Sequence, residues 1–433
     1  MIGHDQIEHA GLTDVGVKRP HNQDNLAIQI IPDPEQWREI GHLFLVADGM
    51  GGHAVGEKAS EQAARMIPHI YSKHAKQGVP TALQKAVQEA NASIHAVGEQ
   101  NKEFNGMGTT STGLVILEDV AWLAHVGDSR AYRIREGMIQ QLTYDHSYVW
   151  EYARRKHIDP SEVHDLPTNV IHRCLGPQPF VEVDIEGPHE LQVDDIFVLC
   201  SDGLSGEVTD HEIGVIASTL PPREACRFLV DLANLRGGRD NITVIIVRVT
   251  EPTETEETTK QASPSKKKSR ISWPVLALLM GILLAGGAIA LKVTGVGGNA
   301  LAGGLFAMAF VPCVVGLIGL IVHQQREQKA RPQSTTEHEP RIHRQASCEL
   351  DETLVQKLNQ ACEKLKSRAE EMEWDPDYTL YDEHRKQAEQ SLQAGELAEA
   401  FQELCRAMTP LCEAFQRHTS KEESFQPVWD KTH

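Results

Sequence analysis

Three times in the first 250 residues a strongly apolar run ends on an aspartate beside a glycine, and a fourth aspartate opens the last such run. Leu43-Phe44-Leu45-Val46-Ala47 leads into Asp48-Gly49-Met50-Gly51-Gly52, and Trp122-Leu123-Ala124-His125-Val126 leads into Gly127-Asp128-Ser129. Ile196-Phe197-Val198-Leu199-Cys200 leads into Ser201-Asp202-Gly203, and Arg239-Asp240-Asn241 precedes the run from Ile242 to Val249. Short continuous apolar runs of this kind read as buried strands. A strand that stops at glycine lets a carboxylate stand at the rim of a sheet, and lets backbone carbonyls approach a ligand closely. One Asp-Gly is merely a turn. Four strand-edge aspartates in one region constrain the chain further, to a sheet-built domain that gathers carboxylates at an edge.

Gathered carboxylates repel one another unless cations neutralise them. Hard oxygen ligands select Mg2+ or Mn2+ rather than zinc. Two such ions about 3.5–4 Å apart share a bridging water, lower its pKa and set it up for in-line attack on phosphorus. That chemistry needs no serine or cysteine nucleophile, and Gly-x-Ser-x-Gly is absent. Phosphate recognition favours the planar fork of arginine. Arg19, five residues before Asp24 in Gly16-Val17-Lys18-Arg19-Pro20-His21-Asn22-Gln23-Asp24, is the candidate.

These segments form an ordered set with Met107-Gly108-Thr109-Thr110, His125-Val126-Gly127-Asp128-Ser129-Arg130, Asp145-His146-Ser147 and Arg239-Asp240-Asn241-Ile242-Thr243. The set resembles the metal-dependent PPM-type protein phosphatases, the type 2C family, in their bacterial form. The resemblance spans residues 8 to about 250. It implies an α+β fold, a four-layer α-β-β-α sandwich of two antiparallel sheets flanked by helices. Helical patterns at about 56–73 and 80–100 agree with that expectation. It implies two Mn2+ or Mg2+ ions, with a third at a weaker site. Asp48 would bridge the pair, the Gly49 carbonyl would ligate one ion, and Asp202 and Asp240 would complete the other. Asp128 would serve the third, Asp24 would hold metal-bound water, and Arg19 would bind the substrate phosphate. Two residues depart from the family pattern. Gln23 stands where many members carry glutamate, and Met50 stands where eukaryotic members carry histidine. A thioether donates no proton, so a general acid must come from elsewhere. His53 lies near in sequence but does not match that position. Residues 148–175 correspond in the family to a mobile flap, whose basic residues Arg154, Arg155 and Lys156 either steer a phosphoprotein or form a solvated helix face.

The rest of the 433 residues divides by composition. Residues 1–250 form the expected phosphatase domain, 251–272 a disordered charged linker and 323–348 a polar linker. Between the linkers lie two charge-free apolar stretches, 273–291 and 300–322. Each reaches the roughly 20 residues that a membrane-spanning helix needs. Basic clusters at Lys266–Arg270 and at Arg326, Lys329 and Arg331 flank the pair. The expectation is a multi-pass protein of the cell membrane with both flanks cytoplasmic. The sequons at Asn91 and Asn241 then read as accidental. Residues 349–418 carry apolar side chains at three- and four-residue spacing, with Gly395 at a helix–helix turn, and 419–433 reads as a flexible tail. A single helix pair of this kind cannot bury its own core, so this small all-α region is either a helical bundle without a partner or a docking module for a helical partner or self-association. The net charge of −19 argues against nucleic acid as a partner. The eight cysteines show no pairing pattern.

The function these features imply is a membrane-anchored serine/threonine protein phosphatase acting on phosphoserine and phosphothreonine proteins and opposing a cognate kinase pathway. One alternative is a catalytically weak phosphoprotein-binding scaffold at the membrane, which Gln23 alone favours. Another is a phosphatase for small metabolites.

Overall fold

The computed structural model describes residues 2–51, 54–100, 102–104, 106–163, 165–167, 170–251 and 341–424. Both apolar stretches, both linkers up to residue 340, the end of the tail and His53 lie outside the described residues.

The strands are β1 (Ile7–Asp14), β2 (Asp24–Gln29), β3 (His42–Met50), β4 (Gly108–Thr109), β5 (Ser111–Leu117), β6 (Val120–Val126), β7 (Arg130–Arg135), β8 (Met138–Gln141), β9 (Asp184–Glu190), β10 (Ile196–Cys200), β11 (Ile242–Val249) and β12 (Arg344–Ser347). They build two sheets. One runs β1-β11-β10-β7-β8-β12; the other runs β2-β3-β5-β6-β9, with β4 paired to β3. Every recorded strand pairing is antiparallel.

Period-two alternation explains why the central strands are apolar throughout. Phe44 and Val46 of β3 pack in one cluster with Phe197 and Leu199 of β10 and with Ile245 and Val247 of β11, so the inner faces of the two sheets share a core. Leu43, Leu45 and Ala47 point the other way, into α2 (Ala54–His74) and α3 (Val79–Gln100). Helix α2 presents Ala59, Ala63, Ile67 and Ile70 at helical spacing to that face. Val198 and Cys200 of β10 pack on the outer side, with α6 (Asp210–Thr219) and α7 (Pro222–Leu235). Shorter helices are α1 (Pro34–Ile40), α4 (Tyr148–Lys156) and α5 (Asp202–Ser205). The four layers expected from the resemblance are therefore present.

The C-terminal residues are α8 (Glu352–Glu371), α9 (Tyr378–Ala394) and α10 (Leu397–Ser424). Residues 341–424 belong to the same compact unit as the described residues of 2–251. Val355, Cys362, Phe401, Leu404, Cys405 and Met408 share one core with Ile213, Phe228 and Leu229 of α6 and α7. The amphipathic face that needs a cover finds it in this chain's own catalytic half. Residues 344–347, which the sequence reading assigns to a polar linker, form β12 and extend the first sheet beyond β8, with Arg344 opposite Gln141 and Ser347 opposite Met138.

The expected localisation, two spans of a cell membrane, is corrected. No helix among the described residues is long and apolar enough to cross a bilayer. Even the 28-residue α10 carries Glu399, Glu403 and Arg406, where a spanning helix needs a nearly uninterrupted apolar run.

Candidate active site at the shared rim of the two sheets

Strand register brings the aspartates together. In the β2–β3 pair, Asp24 lies directly across from Asp48. Asp128 follows the end of β6, which belongs to the same sheet. Strands β10 and β11 are antiparallel neighbours in the other sheet, so Asp202, just after β10, and Asp240, just before β11, emerge at one end. The charges act on one another across the sandwich. Asp48 feels Asp24, Asp202, Asp128 and Asp240, and Asp24 feels Asp202 and Asp240.

Loss of water and mutual repulsion raise these acids. Burial is the leading cause for Asp24, which rises to about 7 despite hydrogen bonds from Ser201 and Thr243 that favour its charge. Burial, then the neighbouring carboxylates, holds Asp48 well above the ordinary range. Asp128 rises to about 8, first through burial, then through Asp202 and Asp145, with Arg130 opposing. Asp202 is raised by burial and by Asp240, and a side-chain hydrogen bond with Asp48 relieves part of this. Such a bond between two carboxyl groups needs a proton on one of them.

The residues fit a pair of divalent cations. Asp24 Oδ2 and Asp202 Oδ1 are buried with no hydrogen-bond partner, and an orphaned buried oxygen is costly unless something neutralises it. The donor set is all hard oxygen, the chemistry of Mg2+ or Mn2+. Gly49 is fixed by close packing: a Cβ there would lie 2.2 Å from the Gly56 carbonyl oxygen and 2.4 Å from that of Gln23. No three His, Cys, Asp or Glu side chains among the described residues are already closed into an ion cage. Instead Asp202 hydrogen-bonds Asp48, and the Arg19 guanidinium rests 2.7 Å from Asp240 Oδ2. Arg19 thus sits at the rim, half-exposed.

Several residues that the sequence motifs contain, but to which the sequence assigns no role, support the site. Asn241 ties down the loop that carries Arg19: its Oδ1 accepts from the Gln23 backbone N–H at 2.8 Å, and its Nδ2 donates to the carbonyls of Val15 and His21 at 2.8 and 2.9 Å. Thr110 Oγ1 accepts from the Asp48 backbone N–H at 2.9 Å, and the Thr110 N–H donates back to the Asp48 carbonyl at 2.8 Å. His146 Nδ1 accepts from the Gly127 N–H at 2.9 Å and its own N–H donates to the Gly127 carbonyl at 2.7 Å, clamping the peptide before Asp128. Arg130 Nε and Nη2 hold Asp145 at 2.9 and 2.8 Å. Of the basic residues in the flap region, Arg154 and Arg155 both hydrogen-bond Glu151, so part of that positive charge is already balanced. Gln23 serves mainly through its backbone, whose carbonyl accepts from the Gly49 N–H at 3.1 Å, while its side chain donates to the Gly51 carbonyl at 3.3 Å.

A two-sheet sandwich with acidic oxygens at one rim and an arginine beside them defines a class of hydrolase built for divalent cations and phosphate. Comparison with known proteins makes that class specific. The protein phosphatase 2C family model matches residues 18–231. The serine/threonine phosphatase stp of Listeria innocua is 36% identical over 241 residues, 54% of this chain and 93% of its own length. The serine/threonine protein phosphatase PstP of Mycobacterium tuberculosis is 32% identical over 56% of this chain, which spans 45% of PstP. A crystal structure of the Mycobacterium tuberculosis phosphatase PstP/Ppp superposes with a TM-score of 0.51 at 32% identity, covering 57% of this chain and 99% of that one. The chain belongs to the protein phosphatase 2C family, and it is a serine/threonine protein phosphatase of that metal-dependent type.

Proposed function

We propose that the rim of Asp24, Asp48, Asp128, Asp202 and Asp240 holds two Mn2+ or Mg2+ ions, with a weaker third site at Asp128, and hydrolyses phosphoserine and phosphothreonine in proteins. When bound, the cations supply Lewis acidity and an activated water for in-line displacement at phosphorus. Asp48, central to the charge cluster, would hold the pair together with the Gly49 carbonyl, Asp202 and Asp240. Asp24, buried opposite Asp48, orients water through its orphaned oxygen. Arg19, now 2.7 Å from Asp240 Oδ2, would bind the phosphate oxygens with its planar fork. The cellular role that follows is the reversal of serine/threonine kinase signalling. The observation that carries the reading is the convergence of five strand-end aspartates from both sheets beside Arg19. The test is phosphate release from phosphothreonine peptides by the purified full chain with Mn2+, beside Asp48→Asn. Release that depends on both Mn2+ and Asp48 supports the reading. No release by the unaltered protein, or equal release by the variant, refutes it.

A further inference from the structure

Beside the rim lies a cavity of about 300 Å³ whose lining includes Asp128 and Asp202 at the site and Arg130, Asp145, Trp150 and Arg344 around it. All but one of these come from the catalytic half. Arg344 comes from β12, far beyond the residues 18–231 that match the family. Its position is set by backbone pairing: Arg344 lies opposite Gln141 in the β8–β12 ladder, and the His343 N–H donates to the Gln141 carbonyl at 2.9 Å.

The two arginines of this cavity differ in what they have left to offer. Arg130 is consumed by Asp145 and by the Tyr132 hydroxyl, which its Nη1 reaches at 3.2 Å. Arg344 has one ion pair among the described residues, a long one of 3.5 Å to Asp210. Asp210 is itself divided, since it accepts from the Tyr132 hydroxyl at 3.0 Å and lies 3.9 Å from Arg130. Asp145 and Asp159 also act on Arg344 at longer range, but a guanidinium has five N–H donors in a rigid fork, so Arg344 retains donors facing a cavity that opens on the scissile site. Trp150 and its neighbours Val149 and Pro160 supply an apolar wall for the stem of a side chain. The volume suits one side chain of a bound peptide, not a second protein domain.

From this geometry we infer that Arg344 forms an accessory anion subsite, which selects phosphoprotein substrates carrying an acidic side chain close to the phosphorylated residue. The inference deepens the phosphatase reading and rests on it. Arg344 acts in specificity rather than in the chemical step, since it reaches a flanking residue and not the phosphorus. It also gives the C-terminal segment a place in recognition that the matched relatives' catalytic region does not supply.

The test uses the full chain with saturating Mn2+ and two sets of phosphothreonine peptides. One set carries a single glutamate at each position within three residues on either side; the other carries glutamine at the same places. The unaltered protein is expected to prefer at least one glutamate peptide over its glutamine partner by about fivefold in kcat/KM, the scale of a partly exposed charge pair. Arg344→Ala should bring that ratio to about one, Arg344→Glu should invert it, and Arg344→Lys should keep part of it. A structural role for Arg344 predicts instead that both sets fall together with the ratio intact, which overturns the inference while leaving the phosphatase reading standing. A ratio of one in the unaltered protein overturns it as well. Failure to cleave either set refutes the phosphatase reading, and this inference with it.

Discussion

Asp24 offers a measurement of what the rim costs when no cation balances it. Its carboxyl is buried opposite Asp48 and rises from an ordinary 3.8 to about 7, chiefly by burial. An acid whose folded value exceeds its unfolded one contributes stability that is fully present below the unfolded value. That contribution is lost as pH climbs through the folded value. Between pH 4 and pH 7 the unfolded chain has already released this proton while the folded chain keeps it, so rising pH drains stability from the cation-free protein. At 1.36 kcal/mol per tenfold, the full difference is worth about 4 kcal/mol. Asp24→Asn removes the titration and keeps a carbonyl to accept from Ser201 and Thr243. Urea unfolding of chelator-treated protein should therefore find the variant more stable than the parent, by about 2 kcal/mol at pH 5 and about 4 kcal/mol at pH 8. Saturating Mn2+ should narrow or reverse the gap at pH 8, since binding to the folded state stabilises both proteins but more strongly the one that keeps the full set of acidic oxygens. An advantage that does not grow with pH, or a variant less stable than the parent at pH 8 without cations, refutes the argument that Asp24 is held protonated by its surroundings.

Other outcomes follow from single contacts. Asn241→Ala frees the loop that carries Arg19 and orphans the Gln23 N–H; kcat/KM for phosphopeptides should drop about 10- to 100-fold, mostly through KM, as steady-state kinetics would show. Gly49→Ala forces a methyl group against two carbonyl oxygens; it should cost roughly 2–3 kcal/mol in thermal unfolding and weaken Mn2+ binding by titration calorimetry. Leu404, fully buried between α10 and the catalytic half, should cost about 2–5 kcal/mol when replaced by alanine. If the C-terminal helices folded apart from the sandwich, Leu404→Ala would leave the unfolding of the catalytic half unchanged, and differential scanning calorimetry would reveal two separate transitions.

The strand-end aspartates were legible because a strand buried on both faces must be apolar throughout, so the first carboxylate after it marks where the sheet stops. The register that sets Asp24 against Asp48 was not legible, because no apolar run leads into Asp24 and only the resemblance pointed to it. The helix–helix turn at Gly395 was legible for an equally local reason: the cap is left-handed, with φ 79°, a conformation that glycine adopts without strain. The cover over α8–α10 was not legible. Three- and four-residue periodicity declares that a helix has an apolar face but carries no word of what lies on it, and here the answer sits more than a hundred residues away in α6 and α7. Strand β12 was hidden too, because Arg344-Gln345-Ala346-Ser347 is short and polar, and only the open edge of β8 makes it a strand. Asn241 and His146 stand in the motifs that carry the resemblance, but their positioning roles were not legible, because that work is done by hydrogen bonds to backbone.

Because β12 is stitched to β8 and α10 shares a core with α7, residues 2–251 and 341–424 are joined by more than the peptide chain between them. A protease that nicked that intervening stretch would yield two fragments still clasped together, copurifying as a heterodimer with the catalytic rim and Arg344 on the same particle. Backbone integrity and catalytic integrity are thus separable properties of this phosphatase.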